Sequence, residues 1–239
     1  MHLISKTIYS NVYLWNNETV IKRVNKRNEV QAKNEIRLLK VLRHSPYVVD
    51  LDFTYENEHN VYMVLEHCKG GCMYDNNTIL KESRLKQVTT AMLLCIMECH
   101  KNNIIHGDIK LTNFVVDSKQ NTKLIDFGCS VLVGNSDEEV ECKQATWYYA
   151  APENMQSKRY MQSDMWSLGV CAYVLATGKH PYEYEKKINI WNVKMDTENK
   201  YWKQLSADCQ DFIIRLLDFE VYSRMNCVDA FYHPFISSS

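Results

Sequence analysis

Asp108, Lys110 and Asn113 stand together in the stretch IIHGDIKLTNFVVDSKQNTKLIDFG, residues 104–128, and Asp126 lies near its far end. Two carboxylates, an ammonium and an amide are groups that a site for a divalent cation and a polyanion would use. Carboxylate and amide oxygens suit a hard cation, and a lysine neutralises phosphate oxygens as a point charge. To act together, the two ends must be brought side by side. The apolar run VV, a polar turn at residues 117–121 and the run KLID have the pattern of a hairpin that returns Asp126 to Asn113.

These residues also carry a resemblance. HGDIKLTN resembles the catalytic loop of the eukaryotic protein kinases, HRDLKxxN, and IDFG resembles their metal-binding DFG segment. The likeness extends over nearly all 239 residues. It implies that Asp108 accepts or orients the proton of a substrate hydroxyl, that Asn113 and Asp126 ligate Mg²⁺, and that Lys110 neutralises the transferred phosphoryl group. Lys22, in VIK, matches the strand lysine that contacts the ATP α- and β-phosphates, and Glu35, in NEIRLL, the helical carboxylate that pairs with it. Taken alone, both would read as solvated surface charges.

By the same resemblance VYMVLEHC, residues 61–68, is the last strand of the first lobe and the hinge. Leu65 falls at the gatekeeper position, and backbone groups of Glu66 and Cys68 face the adenine edge. Val12 and Val20 would cover the ring from above and Val115 from below; without that frame they are ordinary core valines. Lys110 and Thr146, the latter in ATWYYAAPE, resemble the serine/threonine kinases. Glu153 of the APE segment is expected to pair with Arg224, and Asp164 to anchor the catalytic loop. His106 and Phe127 are expected to stack with Leu39 and Leu51 in the core. The late block WKQLSADCQDFIIRLL to HPF looks most like the calcium/calmodulin-dependent and calcium-dependent branch, although no EF-hand follows Ser239.

The elements that must hold these groups follow from periodicity. Residues 3–24 read as strands, TIYSNVYLW and TVIKRV, with a turn at 16–18. EVQAKNEIRLLKVLRH has Ala32, Ile36, Leu39 and Leu42 at helical spacing, ending near His44 before Ser45-Pro46. A hairpin about residues 56–60 completes a small antiparallel sheet. Beyond Gly70-Gly71 the pattern is helical: 85–102, with Val88, Ala91, Met92, Cys95 and Cys99 on one face; 163–177, apolar on nearly all sides; 208–217; and 227–232. The implied fold class is α+β, a two-lobe kinase-like fold, with residues 1–69 as the nucleotide-binding lobe and 70–239 as the catalytic and substrate-binding lobe.

Composition bounds the partners. Twenty-eight Lys and Arg against 29 Asp and Glu give a formal charge of -1, so neither nucleic acid nor a membrane is expected as a general partner. Nine cysteines, an odd number without CxxC spacing, read as free thiols of a reducing compartment, cytosol or nucleus. The pairs Cys68/Cys72 and Cys95/Cys99 would each share a helical face.

Three positions depart from the kinase pattern. Ser5, Thr7 and Ser10 stand where the phosphate loop has glycines, with an expected loss of about 1–2 kcal/mol of loop interaction. Gly107 replaces the arginine that receives activation-loop phosphate, so activity is expected to be independent of phosphorylation there. Cys72 replaces an acidic ribose contact, with Asp75 as the nearest substitute. The leading expectation is a protein serine/threonine kinase using ATP and Mg²⁺, or Mn²⁺, on a protein substrate bearing Ser or Thr. A pseudokinase acting as scaffold or allosteric partner, with a regulatory protein bound to it, is the second reading, and a kinase for a small hydroxylated molecule the third. Glu183, Glu185, Lys186 and Lys187 give mixed charge near the substrate side.

Overall fold

The computed structural model describes residues 2–74, 78–142, 146–182 and 194–238. Strands β1 (His2–Lys6), β2 (Ser10–Leu14), β3 (Thr19–Asn25), β4 (Leu51–Glu56) and β5 (Asn60–Glu66) form an antiparallel sheet of order β1-β2-β3-β5-β4. Helix α1 (Glu29–Val41) lies between β3 and β4 in sequence and turns Ala32, Glu35, Leu38 and Leu39 inward. A mainly helical second lobe follows, giving the two-lobe, kinase-like architecture implied by the sequence.

In that lobe α2 (Glu82–Lys101) packs against α3 (Met161–Thr177). Sixteen of the seventeen α3 residues are buried, as its all-round apolar pattern requires. Helices α4 (Ala207–Leu216), α5 (Cys227–Tyr232) and α6 (Pro234–Ser237) complete it. Short strands also occur: β6 (Gly71–Cys72), β8 (Phe114–Val116) and β9 (Thr122–Leu124) in one sheet, β7 (Ile104–Ile105) with β10 (Val131–Leu132), and β11 (Val140–Glu141) with β12 (Lys158–Arg159). Among the described residues no helix is long and apolar enough to cross a membrane.

Three local expectations need correction. TIYSNVYLW is not one strand: Thr7 Oγ1 accepts from the N–H groups of Tyr9 (3.2 Å) and Ser10 (3.0 Å), a side-chain turn that competes with extended backbone and separates β1 from β2. Helix α1 ends at Val41 rather than near His44, because His44 has already turned left-handed, with φ 68°, ahead of Pro46. Cys95 and Cys99 do share a buried face of α2, but Cys68 lies in the hinge turn and Cys72 on β6, so that pair has no helix to share.

Candidate active site

The β8–β9 hairpin brings the two ends of the chemistry-bearing stretch together. Asp117 Oδ1 accepts the N–H groups of Lys119 and Asn121, each at 2.8 Å, and closes the turn. Ile125 N–H then reaches the Asn113 carbonyl at 3.0 Å, which sets Asp126 beside Asn113.

Asp108 is held from both sides. Its Oδ2 accepts from Lys110 Nζ at 2.6 Å and its Oδ1 from the Thr146 hydroxyl at 2.6 Å, while Asn113 Nδ2 donates to its backbone carbonyl at 2.8 Å. An alcohol donor therefore already reaches this carboxylate at hydrogen-bond distance. Beneath the loop, Asp164 accepts the backbone N–H groups of His106 and Gly107, each at 2.8 Å, and contacts His100 Nε2 at 3.1 Å. Burial opposes ionisation of Asp164, but His100 and these donors outweigh it and hold its pKa below the ordinary carboxylate value. His106 is itself buried and packs edge-on to Phe127, ring centroids 4.9 Å apart. Its Nε2 contacts the Ile125 carbonyl at 3.1 Å and its Nδ1 accepts from Asp108 N–H; burial lowers its pKa, so it sits as a neutral core residue. Leu39 and Leu51 are buried in the same cluster.

On the opposite wall, Lys22 Nζ donates to Glu35 Oε1 at 2.7 Å, to Glu35 Oε2 at 2.9 Å and to Asp126 Oδ1 at 2.7 Å. Burial alone would lower the Lys22 pKa, yet the two carboxylates more than reverse this and raise it, so the ammonium is charged. Lys22 in turn depresses Asp126. Burial pushes Glu35 the other way, upward, and Lys22 opposes that shift.

Lys22, Glu35, Asp108, Lys110, Asp126 and Thr146 all line one cavity of about 610 Å³, roofed by residues 7–10. The hinge candidates lie away from it. Val20 pairs with Leu65 across β3 and β5, both buried, while Val12 pairs with Lys22 and Val115 is buried on β8. Glu66 N–H is committed to the Asp50 carbonyl and the Cys68 carbonyl to Gly71 N–H, each at 3.0 Å. Asp75, Glu183, Glu185, Lys186 and Lys187 lie outside the described residues.

The lid is the part that departs most from a glycine-rich loop. None of Ser5, Thr7 and Ser10 has a positive φ, so no glycine-specific backbone conformation is forced on them. Their departure acts through hydrogen bonding instead: Thr7 Oγ1 accepts from two N–H groups at the tip.

Glu153 and Arg224 form a two-pronged ion pair, Nη1–Oε1 2.7 Å and Nη2–Oε2 2.9 Å, with Ser163 Oγ adding a third contact to Glu153 at 2.6 Å. Sequence reasoning missed two residues. His100 bridges Asp164 to the Cys227 sulfur, 3.2 Å away. Arg159, which reads as a surface charge in SKRY, is 3% exposed and lies over Gly107. The only hint was Gly107 itself, a glycine where a large cation is expected.

Asn113 Oδ1 and the Asp126 carboxylate are oxygen donors that fit Mg²⁺ or Mn²⁺, with Lys22 and Lys110 supplying positive charge for a polyphosphate beside them. Among the described residues, no cluster of three His, Cys, Asp or Glu side chains forms a separate metal centre.

A family model described as a protein kinase domain matches residues 7–236. Among curated proteins, the chain is 33% identical over 216 residues to the calcium/calmodulin-dependent serine/threonine-protein kinase 1 of Oryza sativa subsp. japonica, covering 86% of this chain and 36% of that protein. It is 31% identical over 216 residues to CDPK-related kinase 3 of Arabidopsis thaliana, again 86% of this chain and 36% of the relative. Calcium/calmodulin-dependent protein kinase type 1 of Caenorhabditis elegans is 32% identical over 230 residues, 91% of this chain and 65% of its own length. The chain thus spans 36% of the length of the first two relatives.

Proposed function

This chain belongs to the protein kinase domain family, and on that footing we propose that it transfers the ATP γ-phosphoryl group to a serine or threonine hydroxyl of a protein substrate. The observation that carries the reading is the convergence of Lys22, Asp108, Lys110 and Asp126 on one cavity. Phosphoryl transfer asks little covalent chemistry of a protein and depends on positioning and charge compensation, which these groups supply.

Each residue has a role that its contacts suit. Lys22, fixed by Glu35, contacts the α- and β-phosphates. Asn113 and Asp126 hold Mg²⁺, or Mn²⁺, which when bound neutralises charge on the phosphates. Asp108 accepts the proton of the attacking hydroxyl, taking the place beside Oδ1 that the Thr146 hydroxyl reaches at 2.6 Å. Lys110, 2.6 Å from Asp108, neutralises the phosphoryl group in flight. Val12, Val20, Leu65 and Val115 supply an apolar slot for adenine, with Glu66 and Cys68 reading its edge.

The test is transfer from γ-labelled ATP, with Mg²⁺ or Mn²⁺, to a casein-like or basic protein. Wild type is expected to label substrate and Asp108→Asn is not. Equal silence of both folded proteins across these conditions removes the enzymatic reading. A second reading, a kinase-like binding module, is favoured by one observation: the lid tip satisfies its own N–H groups through Thr7. Thermal shift separates the two. Stabilisation by ATP that needs Mg²⁺ and Asp126 supports catalysis, and no nucleotide response supports the binding role.

A further inference from the structure

Gly107 and Arg159 interlock. Gly107 sits at φ +76°, and a Cβ added there would overlap Arg159 Nη1 and lie 2.7 Å from Cζ and 2.9 Å from the Cys129 carbonyl oxygen. The missing side chain at position 107 is thus the space that the guanidinium fills. Arg159 uses that position to join three segments. Nη1 donates to the Cys129 carbonyl at 2.7 Å, directly after the Asp126-Phe127-Gly128 turn, and Nη2 contacts the Cys142 sulfur at 3.3 Å. Its own backbone lies in β12, where Arg159 is registered against Val140 of β11, and Cys142 N–H donates to the Ser157 carbonyl at 2.8 Å.

We propose that Arg159 is a positioning residue for phosphoryl transfer: a buried guanidinium that holds the catalytic loop, the turn after Asp126 and the segment ending at Cys142 in one register. Three features make this more than packing. Guanidinium is costly to bury, so its placement over a glycine needs donors and acceptors arranged to receive it. The segments it joins carry Asp108, Asp126 and Cys142, which all line the cavity. Ser130 continues the same layer, donating from Oγ to the His106 carbonyl at 2.8 Å while its own carbonyl accepts from Asn34 Nδ2 of α1 at 2.8 Å. The register of α1, and with it Glu35, is thereby tied to the same loop. Arg159 acts through the residues it orders.

The kinetic arm of the test rests on the proposed kinase activity; the structural arm does not. Arg159→Met is expected to lower kcat about tenfold or more, since small misplacements of reacting groups are amplified in rate, while leaving the KM for ATP within about threefold. Arg159→Lys is expected to recover part of kcat, because an ammonium can reach Cys129 but not Cys129 and Cys142 together. Hydrogen exchange on the unliganded chain is expected to rise in 127–133 and 140–142 for Arg159→Met, and not for the exposed control Lys158→Met. Gly107→Ala, whose Cβ meets both the guanidinium and the Cys129 carbonyl at an unfavourable positive φ, should raise exchange in the same segments. Unchanged exchange in both segments with either folded variant overturns the assignment, as does a rise that extends equally into α4 and α6 and marks general destabilisation. If wild type proves inactive, the kinase reading falls while exchange alone still decides the role of Arg159.

Discussion

Lys22 Nζ lies 2.7 Å from Glu35 Oε1 and 2.7 Å from Asp126 Oδ1, so one buried ammonium closes α1 of the first lobe onto the turn that carries the candidate metal ligand of the second. Its removal should be felt twice. Lys22→Met leaves the Glu35 carboxylate buried without its cation, a loss of about 3 kcal/mol. It should also lower transfer about a hundredfold or more by removing a preorganised charge from the phosphates. Chemical denaturation and labelled-ATP assays read the two effects, and an unchanged denaturation midpoint would refute the first. Because burial raises the Glu35 pKa, the variant should regain part of its lost stability as pH falls and the carboxylate takes up a proton.

The lid makes a sharper and less usual prediction. Thr7 Oγ1 accepts from Tyr9 N–H and Ser10 N–H, so an arriving phosphate must displace a hydrogen bond that the protein makes to itself. Thr7→Gly frees both donors, and a net hydrogen bond of about 1 kcal/mol corresponds to roughly fivefold tighter Mg-ATP. Calorimetric titration of both proteins measures this directly. Weaker binding by the variant would mean that the hydroxyl contacts phosphate instead of competing with it.

Arg224 and Glu153 test the second lobe apart from catalysis. Their paired contacts are buried, with the Arg224 side chain fully shielded and Glu153 at 8% side-chain exposure. Arg224→Ala strands the carboxylate and should cost about 3–5 kcal/mol. Arg224→Lys should also destabilise, because an ammonium cannot repeat the planar two-point geometry or the stacking over Trp166 at 5.1 Å. Urea midpoints distinguish them; a lysine variant as stable as wild type would show that only charge matters here.

Much of this site was legible because its residue types and order leave few alternatives. The hairpin between Asn113 and Asp126 could be read from two apolar runs and the turn at Asp117, since side-chain capping of such a turn is local. The buried α3 followed from apolar residues on every side, and the Lys22–Glu35 pair from motif order. What stayed hidden depends on long-range volume. Arg159 looks like any surface arginine until the fold sets it over Gly107, and periodicity says nothing about which cation fills a missing side chain. The break within TIYSNVYLW was hidden for the opposite reason: a single hydroxyl overrode a strong strand pattern.

Activity should not require a phosphate between Asp126 and Glu153. The Arg159 guanidinium already engages the Cys129 carbonyl and the Cys142 sulfur, and the Ser130 hydroxyl is buried against the His106 carbonyl. Ser136 is the exposed alternative. Enzyme treated with a phosphatase and untreated enzyme are expected to have equal kcat. A loss of more than about tenfold on treatment, the scale of a lost ordering contact, would show a phosphate-dependent segment.

The contacts of His100 set the sign of an expected pH dependence. Burial opposes its charge, but the Cys227 sulfur at 3.2 Å and the Asp164 carboxylate at 3.1 Å outweigh burial and raise its pKa from 6.5 to about 10. A group whose folded pKa is raised contributes stability that is fully present below its unfolded pKa and is withdrawn as pH rises through the folded one. The His100 contribution is therefore complete below pH 6.5 and fades toward pH 10. Since Asp164 also holds the N–H groups of His106 and Gly107, the same titration should loosen the catalytic loop. Wild-type Tm is expected to fall across this interval more steeply than that of His100→Gln, whose side chain can still donate to Asp164 but does not titrate. Parallel Tm curves for the two proteins would show that His100 is neutral in the folded state throughout, with Asp164 held down by its backbone donors alone.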